Sequence, residues 1–357
     1  MDIKNELAEF KVSIDREIEI YLDRVIAESK KRDLDIFMID AIKYYKKTIL
    51  AGGKRIRPIM MCLGYRAAGG KNHSEILKTS ISIELIHSFL LMHDDIIDRD
   101  DFRHGKKTIH ARYRDYNKSL LNNNEPDHFG QSIAMIIGDF VYSLGNQVLF
   151  ESKFDAKLIV GALNRTQQIV GLTCIGEIQD VYMEYSKKAT EEDVLKMYEN
   201  KTAKYTFEGP LQLGAMLAGA DKEFCDSLGG YAVPIGIAFQ IQDDMLGVFG
   251  DEKKTGKPVG SDIVEGKLTF MVKRAYNNAT IDQKNILDEY LGNKNMTDKD
   301  IIKFQNMIIE SGAKKDCDEY SKKLIKESKK ALMKIKIDDY VKSFLLEIAD
   351  YLNNREK

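Results

Sequence analysis

Hydrophobic residues recur along the chain at intervals of three and four, the spacing of helices with one buried face. Near the start, Ile14, Ile18, Tyr21, Leu22 and Val25 fall on such a stripe, and Leu324, Ile325, Ala331, Leu332 and Ile335 repeat it near the end. Strand-like alternation is scarce, and only five prolines interrupt the chain. The pattern predicts an all-α protein of roughly a dozen helices joined by short connections. The clearest predicted loop is 117–130, NKSLLNNNEPDHFG, which is polar and carries Pro126 and Gly130. Thr190 followed by Asp193 has the form of a capping box and predicts the start of the helix that contains Lys201. With no internal repeat and no low-complexity linker, residues 1–357 read as a single helical domain.

Composition narrows the class. Apolar residues make up 43% and charged residues 31%, enough core material for a globular protein with a solvated surface. A net charge of −2 gives no reason to expect nucleic acid or an acidic membrane surface as partner. The Lys-rich tail from Lys314 to Lys336 alternates with Glu and Asp and reads as a solvated helix face. Cys62, Cys174, Cys225 and Cys317 show no CxxC or Cys/His spacing, so reduced core cysteines in a cytoplasmic protein are expected. The N-terminus is charged throughout, unlike a signal peptide, and no apolar run reaches the ~18 residues of a membrane span.

Candidate chemistry concentrates in three stretches. In LLMHDDIIDRDDFRHGKKTIH, from Leu90 to His110, an apolar run delivers Asp94, Asp95 and Asp98, and Arg103, His104, Lys106 and Lys107 follow. If Ser82 to Asp98 is helical, Asp94 and Asp98 lie about 40° apart around the axis and roughly 6 Å along it. Carboxylates so placed repel unless a cation compensates them. With no His or Cys at ligand spacing, hard oxygen donors favour magnesium over zinc. Alone, such a cluster reads as a solvated acidic helix end. A second one, FQIQDDMLGVFGDEKKTGKPVGSDIVEGK, repeats the arrangement with Asp243 and Asp244, followed by Lys257 and Lys267. Two remote clusters, each backed by cations, suggest two halves of one polyphosphate site. The third stretch, GGKRIRP from Gly52 to Pro58, supplies Lys54, Arg55 and Arg57 in a Gly-rich loop, with Pro58 suited to the first turn of a helix. It reads as a second phosphate subsite that needs no metal.

GGKRIRP, DDIID followed by RHG, KTAKYTFEGP, and FQIQDD with GKPVGSDIVEGK stand here in the order found in trans-isoprenyl diphosphate synthases, which the chain resembles from about Gly52 to Lys267. The resemblance implies the all-α isoprenoid synthase fold, a single helical bundle around a central cavity, as a homodimer. It implies a prenyltransferase that joins isopentenyl diphosphate to the allylic dimethylallyl, geranyl or farnesyl diphosphate, with three magnesium ions per active site. By the same resemblance Lys54, Arg57 and His87 bind isopentenyl diphosphate. Asp94 and Asp98 ligate metal with support from Asp95, and Asp243 holds the third ion beside Asp244. Arg103, Lys201 and Lys257 bind the allylic diphosphate, Thr202 and Gln240 orient substrate, Lys267 assists, and Asp180 matches a further polar residue of the cavity.

Three positions depart from the family's pattern. His104 stands where a second arginine is usual, a weaker and pH-dependent donor. Gly247 stands where an aspartate is common, leaving Asp251 or Asp262 as candidate replacements, and Glu177 stands where glutamine is usual. A bulky Phe89 beside a slim Leu90, five and four residues before Asp94, resembles geranylgeranyl diphosphate synthases. Farnesyl and longer-chain synthases remain open, as does a non-catalytic subunit of a heteromeric synthase. A terpene cyclase would share the DDxxD logic without needing GGKRIRP. An acidic scaffold would have no reason to place cations behind each cluster.

Overall fold

The computed structural model describes residues 2–250 and 260–353 and is helical almost throughout. Among these residues the sole β structure is a hairpin of two short strands, β1 Phe102–Arg103 and β2 Lys106–Lys107. The chain forms two compact units, one of residues 2–62 and 70–163, the other of 63–69 and 164 onward.

The first unit is built on α1 (Ile3–Lys31), α2 (Ile36–Ile49), most of α3 (Ile56–Ala67), α4 (His73–Ile97), α5 (Ile109–Tyr116) and α6 (Pro126–Phe150). The stripe on α1 behaves as its spacing predicts: Ile14, Ile18 and Leu22 are fully buried. Asp2 caps α1 by accepting from the Lys4 N–H, and Asn72 caps α4 by accepting from the Glu75 N–H. α4 packs chiefly on α6, and the buried Tyr21 hydroxyl ties α1 to the same helix by donating to the Leu144 carbonyl at 3.2 Å.

The expected loop at 117–130 is shorter than its composition suggests. Residues 117–121 continue α5 as a π-helical turn, and α6 already starts at Pro126, which occupies the first turn, where its missing N–H costs nothing. Gly130 is inside α6 because the helix passes directly over α5. A Cβ there would stand 2.3 Å from the His110 carbonyl oxygen.

The second unit takes most of α7 (Ala156–Ser186), from residue 164 onward, followed by α8 (Glu191–Tyr198), a π-helical segment Glu199–Glu208, α9 (Gly209–Leu217) and α10 (Lys222–Phe249). After the undescribed 251–259 come α11 (Ser261–Glu265), α12 (Phe270–Asn278), α13 (Ile281–Tyr290), α14 (Asp298–Glu310), α15 (Ala313–Leu332) and α16 (Asp339–Asn353). The capping box opening α8 is present in both directions, Thr190 Oγ1 accepting from the Asp193 N–H and Asp193 Oδ2 from the Thr190 N–H. α10 is the central helix, packed against the π-helical segment and α15. Leu324, Ile325, Leu332 and Ile335 are buried on the closing stripe.

Two sequence expectations change. Cys62, Cys225 and Cys317 are buried free thiols, but Cys174 is exposed on α7. Helix α6 is, by length and composition, long and apolar enough to cross a membrane, with 44% of its most apolar window buried in the fold. The sequence had promised no such stretch because Asp127 and Asp139 break the run of apolar letters without ending the helix.

Candidate active site

Helix α4 ends where the first acidic cluster begins. Its last turn carries Asp94 and Asp95, and Asp98 is its C-cap, with the Asp98 N–H donating to the Asp94 carbonyl. The carboxylates divide by burial: Asp94 and Asp98 are half-buried, whereas Asp95 is buried. Asp95 Oδ1 accepts from Arg103 Nε at 2.7 Å, with Nη2 of the same guanidinium 2.6 Å away, so its charge is spent within the protein. Asp94 and Asp98 are therefore the pair suited to hold a cation.

The hairpin places Arg103. Its two-residue turn is His104–Gly105, with φ of +49° and +71°. Positive φ at both positions is the type I′ geometry that matches strand twist, and His, Asn and Asp are the side chains that tolerate it best. That preference gives a local reason for histidine at 104. The His104 ring lies over the Gly-rich loop: a Cβ on Gly52 would come 2.4 Å from its Cγ. Desolvation, then Arg103, Arg55 and Lys11, hold the His104 imidazole below its usual range, so near neutral pH it is an uncharged partner.

The three cations of GGKRIRP do not act alike. Lys54 is exposed and Arg57 half-buried, but Arg55 is turned inward with 4% exposure. Arg55 Nε donates to Asp15 on α1 at 2.7 Å, Nη1 to Glu84 on α4 at 2.7 Å, and Nη2 to the Ile49 carbonyl. This fork fixes the loop to three elements and removes Arg55 from the anion-binding set. Sequence reading counted it among three cations and missed both partners. The one signal was Glu84 itself, a lone charge inside the buried run from Ile81 to Ile86, which implies an internal cation. His87, Arg103, His104, Asp95 and Arg55 line one cavity of the first unit. Desolvation, then Arg57 and Arg103, drive the His87 imidazole well below its usual range. Phe89, one turn from the cluster, meets His93 edge-on at 4.8 Å and Tyr142 on α6 at 5.1 Å.

In the second unit, Lys201 and Thr202 sit on the π-helical segment, an irregularity found disproportionately at functional sites. Lys201 Nζ lies 2.6 Å from Asp180 Oδ2 and 2.7 Å from Glu177 Oε2. A hydrogen-bonded chain follows: Thr202 Oγ1 donates to Gln240 Oε1 at 2.7 Å, and Gln240 Nε2 donates to Asp244 Oδ1 at 2.9 Å. The Tyr198 hydroxyl donates to Asp244 Oδ2 and accepts from the Phe270 N–H at 2.8 Å. Asp244 is thus buried and held on both oxygens, while Asp243 beside it is half-buried, the same division as Asp95 and Asp94. Burial, then the carboxylate of Asp262, pushes the Asp244 carboxyl up to about 7. Tyr198 was not singled out in the sequence, where nothing distinguishes it from a core tyrosine.

Gly247 faces a neighbouring carboxylate. A Cβ there would stand 2.3 Å from Asp262 Oδ2, so the Asp262 carboxylate occupies the space of a side chain at 247. Lys267 Nζ pairs with Glu265 at 2.9 Å. Lys257 and Asp251 lie outside the described residues. Among the described residues no group of three or more His, Cys, Asp and Glu side chains is arranged to hold a metal ion.

Paired carboxylates that stop short of a closed metal cage, with guanidinium and ammonium groups fixed close by, are the equipment of an enzyme that handles anionic phosphates with a divalent metal. Comparison with known proteins makes the class specific. The polyprenyl synthetase family model matches residues 40–308, and the chain belongs to that family. A short chain isoprenyl diphosphate synthase of Methanocaldococcus jannaschii is 35% identical over 288 residues, 81% of this chain and 78% of the relative. A geranylgeranyl diphosphate synthase of Methanosarcina mazei is 31% identical over 306 residues, 86% of this chain and 87% of its own. A crystal structure of geranylgeranyl pyrophosphate synthase from Corynebacterium glutamicum, complexed with isoprenyl diphosphate and magnesium, superposes with a TM-score of 0.92 at 31% identity, covering 98% of this chain and 99% of the other.

Proposed function

We propose that this prenyltransferase condenses isopentenyl diphosphate with dimethylallyl, geranyl and farnesyl diphosphates by ionisation, condensation and elimination, releasing geranylgeranyl diphosphate. The observation that carries the reading is the division within the first acidic cluster: Asp95 is neutralised by Arg103, so a cation already stands beside the half-buried Asp94 and Asp98. The donor set fits magnesium, which binds through one or two carboxylates and completes its shell with water and substrate phosphate oxygens. Asp94 and Asp98 would hold it, and Asp243 a further ion, with three ions by family resemblance. Bound there, magnesium neutralises the leaving diphosphate.

The chain's own residues do the rest. Lys54, Arg57 and His87 bind isopentenyl diphosphate, helped by His104. Arg103, Lys201 and Lys257 hold the allylic diphosphate, and Lys267 assists. The Thr202–Gln240 pair turns fixed dipoles toward the developing allylic cation, fed from Asp244 by the same hydrogen-bonded chain. Apolar walls keep water from the cation, and the departing diphosphate takes the proton lost on elimination. Phe89, braced by Tyr142 and His93, closes the tunnel at the length of a geranylgeranyl chain.

A homodimer is supported by apolar side chains left exposed within single helices: Met135, Ile136 and Phe140 on α6, and Ile175, Ile178, Tyr182 and Tyr185 on α7. Free thiols on all four cysteines suit the cytoplasm. Farnesyl or longer products are the alternative within the class. A non-catalytic subunit is disfavoured because both carboxylate pairs are kept. Incubating the purified protein with magnesium, labelled isopentenyl diphosphate and each allylic primer decides among these. Geranylgeranyl diphosphate is the expected product; no elongation of any primer would overturn the reading.

A further inference from the structure

Among the cations around the second acidic cluster, Lys201 is unusual in its company. Glu177 and Asp180 stand one turn apart on α7, and both reach its ammonium, at 2.7 and 2.6 Å. All three side chains are largely shielded, with exposures of 24% for Lys201, 20% for Glu177 and 17% for Asp180. The backbones touch as well: a Cβ on Gly176 would stand 2.6 Å from the Lys201 nitrogen. The lysine is therefore rooted against α7, and its ammonium is folded back onto the acids beside its own base. Glu177 adds a second carboxylate to an ammonium that Asp180 already holds, and glutamine at 177, as the family's pattern has it, would not.

We propose that Glu177 is a positioning and specificity-determining residue, which holds Lys201 back from the allylic diphosphate and so weakens affinity for that substrate. The proposal rests on the assignment of Lys201 to the allylic diphosphate. A phosphate oxygen must either share the ammonium with both carboxylates or displace one of them, and in either case the acids repel it. The cost falls on the allylic substrate, because isopentenyl diphosphate is assigned to Lys54, Arg57 and His87 and not to Lys201.

The test is Glu177→Gln, with Glu177→Ala removing the charge by a second route and Glu177→Asp keeping it on a shorter arm. Both neutral variants should lower the KM for the allylic primer about threefold to fivefold, the scale of a partly exposed charge pair. The KM for isopentenyl diphosphate should not move, and the allylic difference should shrink as salt is raised. Inorganic pyrophosphate, titrated calorimetrically at fixed magnesium, should bind the neutral variants more tightly by the same factor, whereas Glu177→Asp should stay near wild type. An allylic KM that stays level or rises in both neutral variants, or an equal shift in both substrates, would overturn the proposal. Failure of the wild type to elongate any primer would instead overturn the assigned function, and the pyrophosphate titration would still decide the role of Glu177.

Discussion

Replacing Glu84 by glutamine removes one charge from the most deeply buried ion network described above and changes almost nothing in shape. Glu84 has a side-chain exposure of 6% and Arg55 of 3%, so water contributes little to either. Stripping a partner from a buried pair typically costs about 3–5 kcal/mol, because the remaining charge is left uncompensated. Here Arg55 keeps Asp15 and the Ile49 carbonyl, and glutamine still offers an oxygen to Nη1, which brings the expectation to about 2–3 kcal/mol. Asp15→Asn should cost less, about 1 kcal/mol, since Asp15 is 24% exposed and already shared with Lys11. Urea unfolding followed by circular dichroism gives both differences from midpoints at constant slope. The network also holds Arg55 at a φ of +55°, a conformation that costs a non-glycine residue about 1 kcal/mol or more. Loosening it should let the loop relax and raise the KM for isopentenyl diphosphate through Lys54 and Arg57. A cost for Glu84→Gln below 1 kcal/mol, or no greater than that of Asp15→Asn, would refute the reasoning.

Four further expectations follow from the same geometry. His87 is held neutral by desolvation and neighbouring cations, so the folded chain refuses a proton that the unfolded chain accepts below about pH 6.5. Its contribution is complete above that pH and drains away below it, and His87→Asn should flatten the fall of melting temperature with acid; an unchanged acid limb contradicts this. Gly247→Ala should destabilise by about 1–3 kcal/mol through the clash with Asp262, and an unshifted melting temperature would mean that this carboxylate swings away freely. Tyr198→Phe takes a donor from buried Asp244 and should cost about 1–3 kcal/mol in denaturant unfolding, with a loss under 0.5 kcal/mol counting against a tight clamp. Phe89→Ala should shift products to longer chains by mass spectrometry; the wild-type distribution would remove the ring from the tunnel floor.

What could be read from the letters was whatever repeats locally. The stripes of α1 and α15, the capping box at Thr190, and the runs that end in Asp94 and Asp243 depend on neighbours within a few residues, and each is where periodicity or a short motif puts it. What could not be read depends on distant parts of the chain. Asp15 meets Arg55 across 40 residues and Glu84 meets it across 29, and although the apolar run around Glu84 calls for a cation, nothing local names Arg55 as the partner of either. The π-helical register beneath Lys201 is likewise invisible, since its residues would suit an ordinary helix. The loop at 117–130 was overestimated because polar composition marks exposure as well as irregularity, and Cys174 because a cysteine's usual burial says nothing of which helix face it occupies.

The bond between Asp95 and Arg103 spans only eight residues, with a tight turn just beyond it. It acts as a tether of fixed length, setting how far the hairpin can stand from the end of α4. Lengthening the stretch between Asp98 and Arg103 by even one residue would keep every charged group and lose their alignment. In this chain the distance along the backbone is as much a part of the catalyst as the side chains it carries.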